Sequence, residues 1–248
     1  MKKTIGIVVE GPRDYDMITQ LITVITGEEH NYLKLQPEQN AMGECGNGWK
    51  GVWKWCDMHK EHLEDYFYSI TPKLDMLIIH MDGDVVRKEK EIHCQCEQVE
   101  CESRSTTHPL ECPKIDKCPI HLPCSGHEDS PKGYATHLKA FLLNLSGRRA
   151  DLPICFLTPC DSTDTWIVAA LDDADDYEKI ENPWEKVICR SANYHGIRIN
   201  RPHKNSRPYM ELIQKVVPNW AIVRSRCPQA EAFSNDVIRI LSTEAAQQ

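Results

Sequence analysis

Residues 4–14 read TIGIVVEGPRD and supply the first strand and the first helix of the fold that we predict for the chain. The apolar run at residues 5–9 is short and is bounded by polar residues, which is typical of a buried strand in a parallel sheet. Glu10 ends the run, Gly11 and Pro12 follow it, and Gly27 is suited to end the helical pattern that comes next. One face of that helix carries the apolar residues Met17, Ile18, Leu21, Ile22 and Ile25.

Two more apolar runs predict buried strands, one at residues 76–80 and one at residues 154–157. Further helices are predicted over residues 53–67, over residues 134–145 and from about Asp161 onward. Asp161 or Ser162 is placed to cap the last of these helices. Strands that alternate with helices predict an α/β fold whose sheet is mostly parallel and is flanked by helices.

The composition narrows the class of protein. The chain has 248 residues and a formal net charge of −8. No apolar run approaches the roughly 18 residues of a membrane helix, and the first run is too short for a secretory signal, so we expect a cytoplasmic protein without a membrane partner. The charge argues against a protein that coats nucleic acid through a basic surface. It leaves open an enzyme that acts on nucleic acid, because bound Mg²⁺ would offset the charge of an acidic site.

Carboxylates follow the ends of all three predicted strands. Glu10 ends the first strand, Asp14 lies one turn into the helix, and Asp82 and Asp84 follow the second strand in the sequence IIHMDGD. Asp164 lies in TPCDSTDTW, within the first turn of the helix after the third strand. Ligands of open parallel sheets bind outside the carboxyl ends of the strands, and Mg²⁺ prefers carboxylate oxygens together with substrate phosphate. We therefore predict a site for Mg²⁺ (or Mn²⁺) that is held by Glu10, Asp82, Asp84 and Asp164.

Each of these carboxylates also has a structural explanation. Glu10 is able to form a salt bridge, residues 82–84 are able to form a surface turn, and Asp164 is able to stabilise the N-terminus of a helix. Their joint placement at one edge of the sheet favours the metal site.

The order of these motifs resembles the Toprim domain of topoisomerases, primases and overcoming-lysogenisation-defect nucleases. Residues 5–14 supply a strand followed by Glu-Gly-x-x-Asp, and residues 76–84 supply a strand followed by Asp-x-Asp. Residues 158–166 are similar to the Ser-x-Pro-Cys-Phe-Glu-x-Trp element of small stand-alone Toprim proteins of bacterial phage defence. Thr163 stands where those proteins have Phe, and Asp164 stands where they have Glu. The segment from Tyr209 to Pro228 is similar to their C-terminal ending.

This resemblance implies a Mg²⁺-dependent nuclease that cleaves phosphodiester bonds in DNA or RNA. It implies that Glu10 is a metal ligand or a general acid/base, that Asp82 and Asp84 hold Mg²⁺, and that Asp14 and Asp164 complete one or two metal sites. The metal would activate water and stabilise charge in the transition state. The resemblance also implies an effector of phage defence, with a protein partner such as a defence-system ATPase.

A basic segment near the C-terminus offers cations for a substrate phosphate. Lys204 and Arg207 lie in NRPHKNSRPY, and either is placed to neutralise a scissile phosphate. The alternative for both residues is a solvated charge on a loop.

Residues 91–132 differ from the rest of the chain because they are rich in Cys and His and poor in aliphatic residues. Such a segment cannot bury enough apolar area to fold alone, so we predict an insertion that is held by structural Zn²⁺ and serves as a recognition or docking module. The α/β domain would consist of residues 1–90 and 133–248. Disulfides are the alternative to zinc. The predicted zinc ligands, for one or two ions, are Cys94, Cys96, Cys101, Cys112, Cys118, His121, Cys124 and His127.

Two other functions compete with the nuclease. A phosphohydrolase of small phosphate esters also uses Asp-x-Asp at a strand end, but its chemistry needs an Asp directly after the first strand, where this chain has Glu10. A non-catalytic, zinc-bearing module that binds nucleic acid or protein would use the carboxylates for structure only, and Mg²⁺ would not change its thermal stability.

Overall fold

A four-stranded parallel sheet forms the centre of the protein. The computed structural model describes residues 2–37, 46–86, 130–147, 151–189, 193–199 and 204–243. The sheet has the order β2-β1-β3-β4, and every neighbouring pair is parallel. Its strands are β1 (Thr4–Val8), β2 (Asn31–Gln36), β3 (Met76–His80) and β4 (Ile154–Leu157).

Helices connect and cover these strands. They are α1 (Pro12–Thr26), α2 (Gly48–His59), α3 (Leu63–Ser69), α4 (Pro131–Leu145), α5 (Asp164–Leu171), α6 (Pro183–Cys189), α7 (Ser206–Val216), α8 (Trp220–Arg226) and α9 (Pro228–Thr243). A small antiparallel hairpin pairs β5 (Asn193–Tyr194) with β6 (Ile197–Arg198). None of the helices in the described ranges has both the length and the apolar character that crossing a membrane requires. The structure thus confirms an α/β fold with a parallel sheet flanked by helices.

The two faces of the sheet belong to two apolar clusters. Helices α1, α5, α7, α8 and α9 cover one face, and helices α2, α3 and α4 cover the other. Side chains alternate between the faces along each strand, as the pleat requires. Met76 and Ile78 of β3 therefore pack on the α1 side, whereas Leu77 and Ile79 pack on the α2 side. His80 follows the same alternation and lies on the α1 side.

Three details differ from the sequence prediction. The single helix predicted over residues 53–67 is wrong: α2 ends at His59 and α3 begins at Leu63. The three residues between them are polar and exposed, so no apolar stripe joins the two helices across residues 60–62. Strand β2 was not predicted, because its sequence NYLKLQ has few aliphatic residues and lies at the edge of the sheet. The residue at the N-cap of α5 is Thr163, rather than Asp161 or Ser162.

The pairing of β3 with β4 continues beyond the ends of both strands. The backbone N–H of Gly83 donates to the carbonyl of Pro159 at 3.1 Å, and the N–H of Asp84 donates to the carbonyl of Asp161 at 3.0 Å. A Cβ atom at Gly83 would lie 2.4 Å from the carbonyl oxygens of Pro159 and Cys160. Only glycine fits this close approach, so the turn that carries Asp82 and Asp84 is fixed against the segment after β4.

We predict that Gly83→Ala lowers the free energy of unfolding by about 1–3 kcal/mol, because the new methyl group overlaps backbone atoms that are held in hydrogen bonds. Urea unfolding measures the loss, and amide hydrogen exchange at Asp84 should accelerate as its bond to Asp161 weakens. Gly27→Ala is the matched control, since nothing lies within 4 Å of its added Cβ and only its left-handed φ of 71° is strained. Unchanged exchange at Asp84 in the Gly83 variant would contradict this account of the turn.

Candidate metal centre

Glu10 and Asp82 meet where β1 and β3 end. The backbone N–H of Asp82 donates to Oε1 of Glu10 at 2.8 Å, which joins the tips of the two strands. The carbonyl of Glu10 accepts from the N–H of Gly48 at 2.9 Å, so the first residue of α2 also lies beside this corner. Glu10 thus points its carboxyl group across the sheet edge toward the turn after β3.

Asp14 approaches the same corner from the first turn of α1. Its Oδ2 accepts from the N–H of Gly11 at 3.1 Å, and its Oδ1 accepts from the hydroxyl of Thr163 at 3.0 Å. The first bond caps the N-terminus of α1, and the second links α1 to the segment after β4. These two bonds hold the carboxylate in one orientation, in the way that outer hydrogen bonds orient the ligands of a metal.

His80 is the residue of this corner that the sequence analysis missed. It is the last residue of β3 and is fully buried, and its Nε2 lies 3.1 Å from Oδ1 of Asp82. The three side chains of Asp14, His80 and Asp82 offer ligand atoms that all lie within 4.8 Å of one another. Within the described ranges no other group of three such side chains meets this condition. The signal in the sequence was the spacing of two residues between His80 and Asp82, which places both side chains on one face.

Burial and mutual repulsion change the acidity of these groups. Burial raises the pKa of Glu10 well above its usual value, and the neighbouring carboxylates of Asp82, Asp14 and Asp84 raise it further. Burial raises the pKa of Asp82 to about 7, although His80 acts in the opposite direction. Burial lowers the pKa of His80, but the carboxylate of Asp82 outweighs burial and raises it overall. The corner therefore holds protons near neutral pH and would release them to a divalent cation.

Asp84 lies at the rim of this corner. It is half-buried, and it begins a helical turn that is described as far as Val86. Its charge contributes to the raised pKa of Glu10 and of Asp82, so it is close enough to act on both. It does not belong to the group of three side chains with converging ligand atoms.

Asp164 makes contacts of a different kind. Its Oδ1 accepts from the hydroxyl of Tyr209 at 2.8 Å, and its Oδ2 lies 2.5 Å from Nζ of Lys204. Nζ of Lys204 also lies over the ring of Trp184, 5.5 Å from its centre. Burial lowers the pKa of Lys204, but the carboxylates of Asp164, Asp82 and Asp14 outweigh it and raise the pKa above its usual value. Lys204 is therefore a fixed positive charge beside the metal-compatible corner.

The remaining predicted residues fall outside the corner or outside the described ranges. The side chain of Arg207 is 91% exposed and pairs with Glu211 on the surface of α7, as the solvated alternative expects. The predicted zinc ligands lie outside the described residues, so zinc binding stays a prediction. These ligands are Cys94, Cys96, Cys101, Cys112, Cys118, His121, Cys124 and His127.

Comparison with protein-family models, with curated proteins and with solved structures finds no significant match.

We predict that the free energy of unfolding of the metal-free protein falls as the pH rises from about 4 to about 7. In this window the folded chain binds more protons than the unfolded chain, because folding raises the pKa of Glu10 and Asp82. His80 acts in the same direction, since folding also raises its pKa. Each such group contributes a slope of at most about 1.4 kcal/mol per pH unit.

Urea unfolding in the presence of a chelator, repeated across this pH window, measures the effect. The fall should be shallower in Asp82→Asn, and Mg²⁺ or Mn²⁺ should restore stability to the wild type near neutral pH. Asp173→Asn is the control, because the side chain of Asp173 is fully exposed. Parallel profiles for the wild type and Asp82→Asn would contradict the prediction.

A separate prediction concerns Tyr209, whose fully buried hydroxyl donates to Asp164. Tyr209→Phe removes the donor and leaves part of a buried carboxylate without its partner, at a cost of about 1–3 kcal/mol in the free energy of unfolding. Tyr68→Phe serves as the control, since Tyr68 is 54% exposed. Equal losses in the two variants would show that the bond between Tyr209 and Asp164 contributes nothing.

Proposed function

We propose that this chain is a Mg²⁺- or Mn²⁺-dependent nuclease of the Toprim type, which hydrolyses phosphodiester bonds in DNA or RNA. The observation that carries the proposal is the meeting of Glu10, Asp14 and Asp82 where neighbouring parallel strands end, with Lys204 beside them. These carboxylates come from separate helices and strand ends and lie close to the positive charge of Lys204. Such an arrangement suits a divalent metal ion that also binds an anionic substrate. The order of motifs along the chain supports the same assignment.

The residues present fit such an ion. Oδ1 of Asp82 and both ring nitrogens of His80 are buried and have no hydrogen-bond partner among the described residues. Buried polar atoms in that condition call for a partner that the described residues do not supply, such as an ordered water or an ion. When bound, a divalent cation would activate water and offset charge on the phosphate. Asp82, Asp14 and Asp84 would supply its carboxylate oxygens, and the role predicted for Asp164 as a further ligand stays a prediction.

The chain's own groups supply the rest of the chemistry. Oε1 of Glu10 accepts the hydrogen bond from the backbone N–H of Asp82. Oε2 would then be the oxygen that exchanges a proton with water or with the leaving oxygen. Its raised pKa places this exchange closer to neutral pH than an ordinary carboxyl group would. Lys204, held by Asp164 on one side, would meet a non-bridging phosphate oxygen and stabilise the charge that develops there.

Two further parts of the proposal rest on the sequence alone: zinc binding on the Cys- and His-rich composition, and phage defence on the resemblance. The segment at residues 91–132 would bind structural Zn²⁺ and serve as a recognition or docking module. The resemblance supports a role in phage defence, with a protein partner such as a defence-system ATPase.

Cleavage of nucleic acid tests the proposal. Purified protein is incubated with labelled single- and double-stranded DNA and RNA in Mg²⁺ or Mn²⁺, and we expect cleavage that a chelator stops. Asp82→Asn and Glu10→Gln should each reduce the rate by about 100-fold or more, because each removes a group that acts on the reacting atoms. Glu211→Gln is the control, since Glu211 pairs with Arg207 on the surface of α7.

Cleavage that survives Asp82→Asn at the wild-type rate would remove the assignment. Hydrolysis of small phosphate esters without cleavage of any polynucleotide would favour the phosphohydrolase instead. A thermal stability that changes with neither Mg²⁺ nor Mn²⁺ would favour the non-catalytic module.

A further inference from the structure

His80 is a buried polar side chain that the fold alone does not explain. It ends a strand that is otherwise apolar, MLIIH, and none of its surface is exposed. Buried imidazoles in folded proteins almost always have hydrogen-bond partners, because an unpartnered polar group loses the bonds that it makes in water. Neither ring nitrogen of His80 has such a partner among the described residues.

The contact between His80 and Asp82 has the spacing of two ligands of one ion. Nε2 and Oδ1 lie 3.1 Å apart, yet neither atom has hydrogen-bond geometry. In an octahedral site with metal–ligand distances of about 2.1 Å, neighbouring ligand atoms lie about 3.0 Å apart. Asp14 adds a carboxylate oxygen, and ligand atoms of the three residues all lie within 4.8 Å of one another. Small side-chain shifts would bring the three into one coordination sphere.

Hydrogen bonds with surrounding residues hold Asp14 and Asp82 in place. Asp14 accepts bonds from Gly11 and Thr163, which fix its carboxylate without using up the lone pairs of its oxygens. Asp82 is held through its backbone by Glu10. A cation would therefore find one carboxylate already oriented, a second whose backbone is fixed, and a buried imidazole whose nearby carboxylate oxygen on Asp82 is itself a candidate ligand.

We propose that Asp14, His80 and Asp82 form a mixed nitrogen and oxygen site that selects a first-row transition cation such as Mn²⁺ over Mg²⁺. Imidazole nitrogen binds transition cations well, whereas Mg²⁺ strongly prefers oxygen. This inference rests on the metal centre of the proposed function and names the class of ion that the centre takes. The ligand that confers the preference is His80, since carboxylates alone accept both ions.

Mn²⁺ is the probe for the test, because it is paramagnetic and because it favours carboxylate oxygen over the thiolates of the Cys-rich segment. Pulsed electron paramagnetic resonance on the wild-type protein with bound Mn²⁺ reports directly whether a nitrogen nucleus is coordinated. We expect nitrogen modulation in the wild type and its loss in His80→Gln. Calorimetric titration should show Mn²⁺ affinity falling by about 10-fold or more in His80→Gln, while Mg²⁺ affinity changes far less.

The control variant is His59→Gln. His59 is the last residue of α2, stacks on Trp55 and lies at the opposite end of the helix from Glu10. It should keep both the nitrogen modulation and the affinity for Mn²⁺. The spectrum of the wild type needs no substitution, so the test remains decisive even if His80→Gln fails to fold.

Failure of this inference differs from failure of the proposed function. If the wild type binds Mn²⁺ but shows no nitrogen modulation, His80 is not a ligand. This conclusion holds even if the protein cleaves nucleic acid. Equal losses of Mn²⁺ and Mg²⁺ affinity in His80→Gln overturn the inference as well. Nitrogen modulation that depends on His80, in a protein that cleaves no nucleic acid, supports the inference and removes the nuclease.

Discussion

The hydrogen bonds that continue from β3 and β4 past their last residues are the constraint on which the site depends. They place Gly83 against the carbonyl of Pro159 and Asp84 against that of Asp161, at a separation that no side chain on residue 83 would permit. Asp82 is thereby turned toward β1, where its N–H meets Glu10. Two strand tips are joined by this one bond, so the position of each carboxylate follows from the register of the sheet.

The same arrangement costs the fold some electrostatic stability. Carboxylates that are gathered away from water repel one another and retain protons, as the raised pKa values of Glu10 and Asp82 show. The apolar clusters on both sides of the sheet hold β1 and β3 in place against this repulsion. A divalent cation would convert the repulsion into attraction, and Lys204 supplies a smaller, permanent part of that compensation. Functional sites commonly show this conflict between local stability and chemistry.

The parts of the fold that the sequence could predict are those set by apolar runs and special residues. Strands β3 and β4 were predicted with their observed bounds, and Gly27 ends α1 in the left-handed conformation expected of it. Strand β2 was not predicted, because this edge strand has few aliphatic residues and therefore no apolar run in its sequence. The position of the carboxylates could be predicted because parallel strands end at one edge of the sheet. The residues with which these carboxylates form hydrogen bonds and ion pairs could not be predicted. The pairing of Asp164 with Lys204 and Tyr209 joins residues that are 40 and 45 positions apart, and only tertiary packing brings them together.

The most direct test of this account is a crystal of the protein soaked in Mn²⁺ and measured at a wavelength where manganese scatters anomalously. We expect an anomalous peak at the carboxyl ends of β1 and β3, with carboxylate oxygens of Asp14 and Asp82 about 2.2 Å from it. Electron density in which the side chains of Glu10, Asp14 and Asp82 diverge, with no anomalous peak between them, would contradict it.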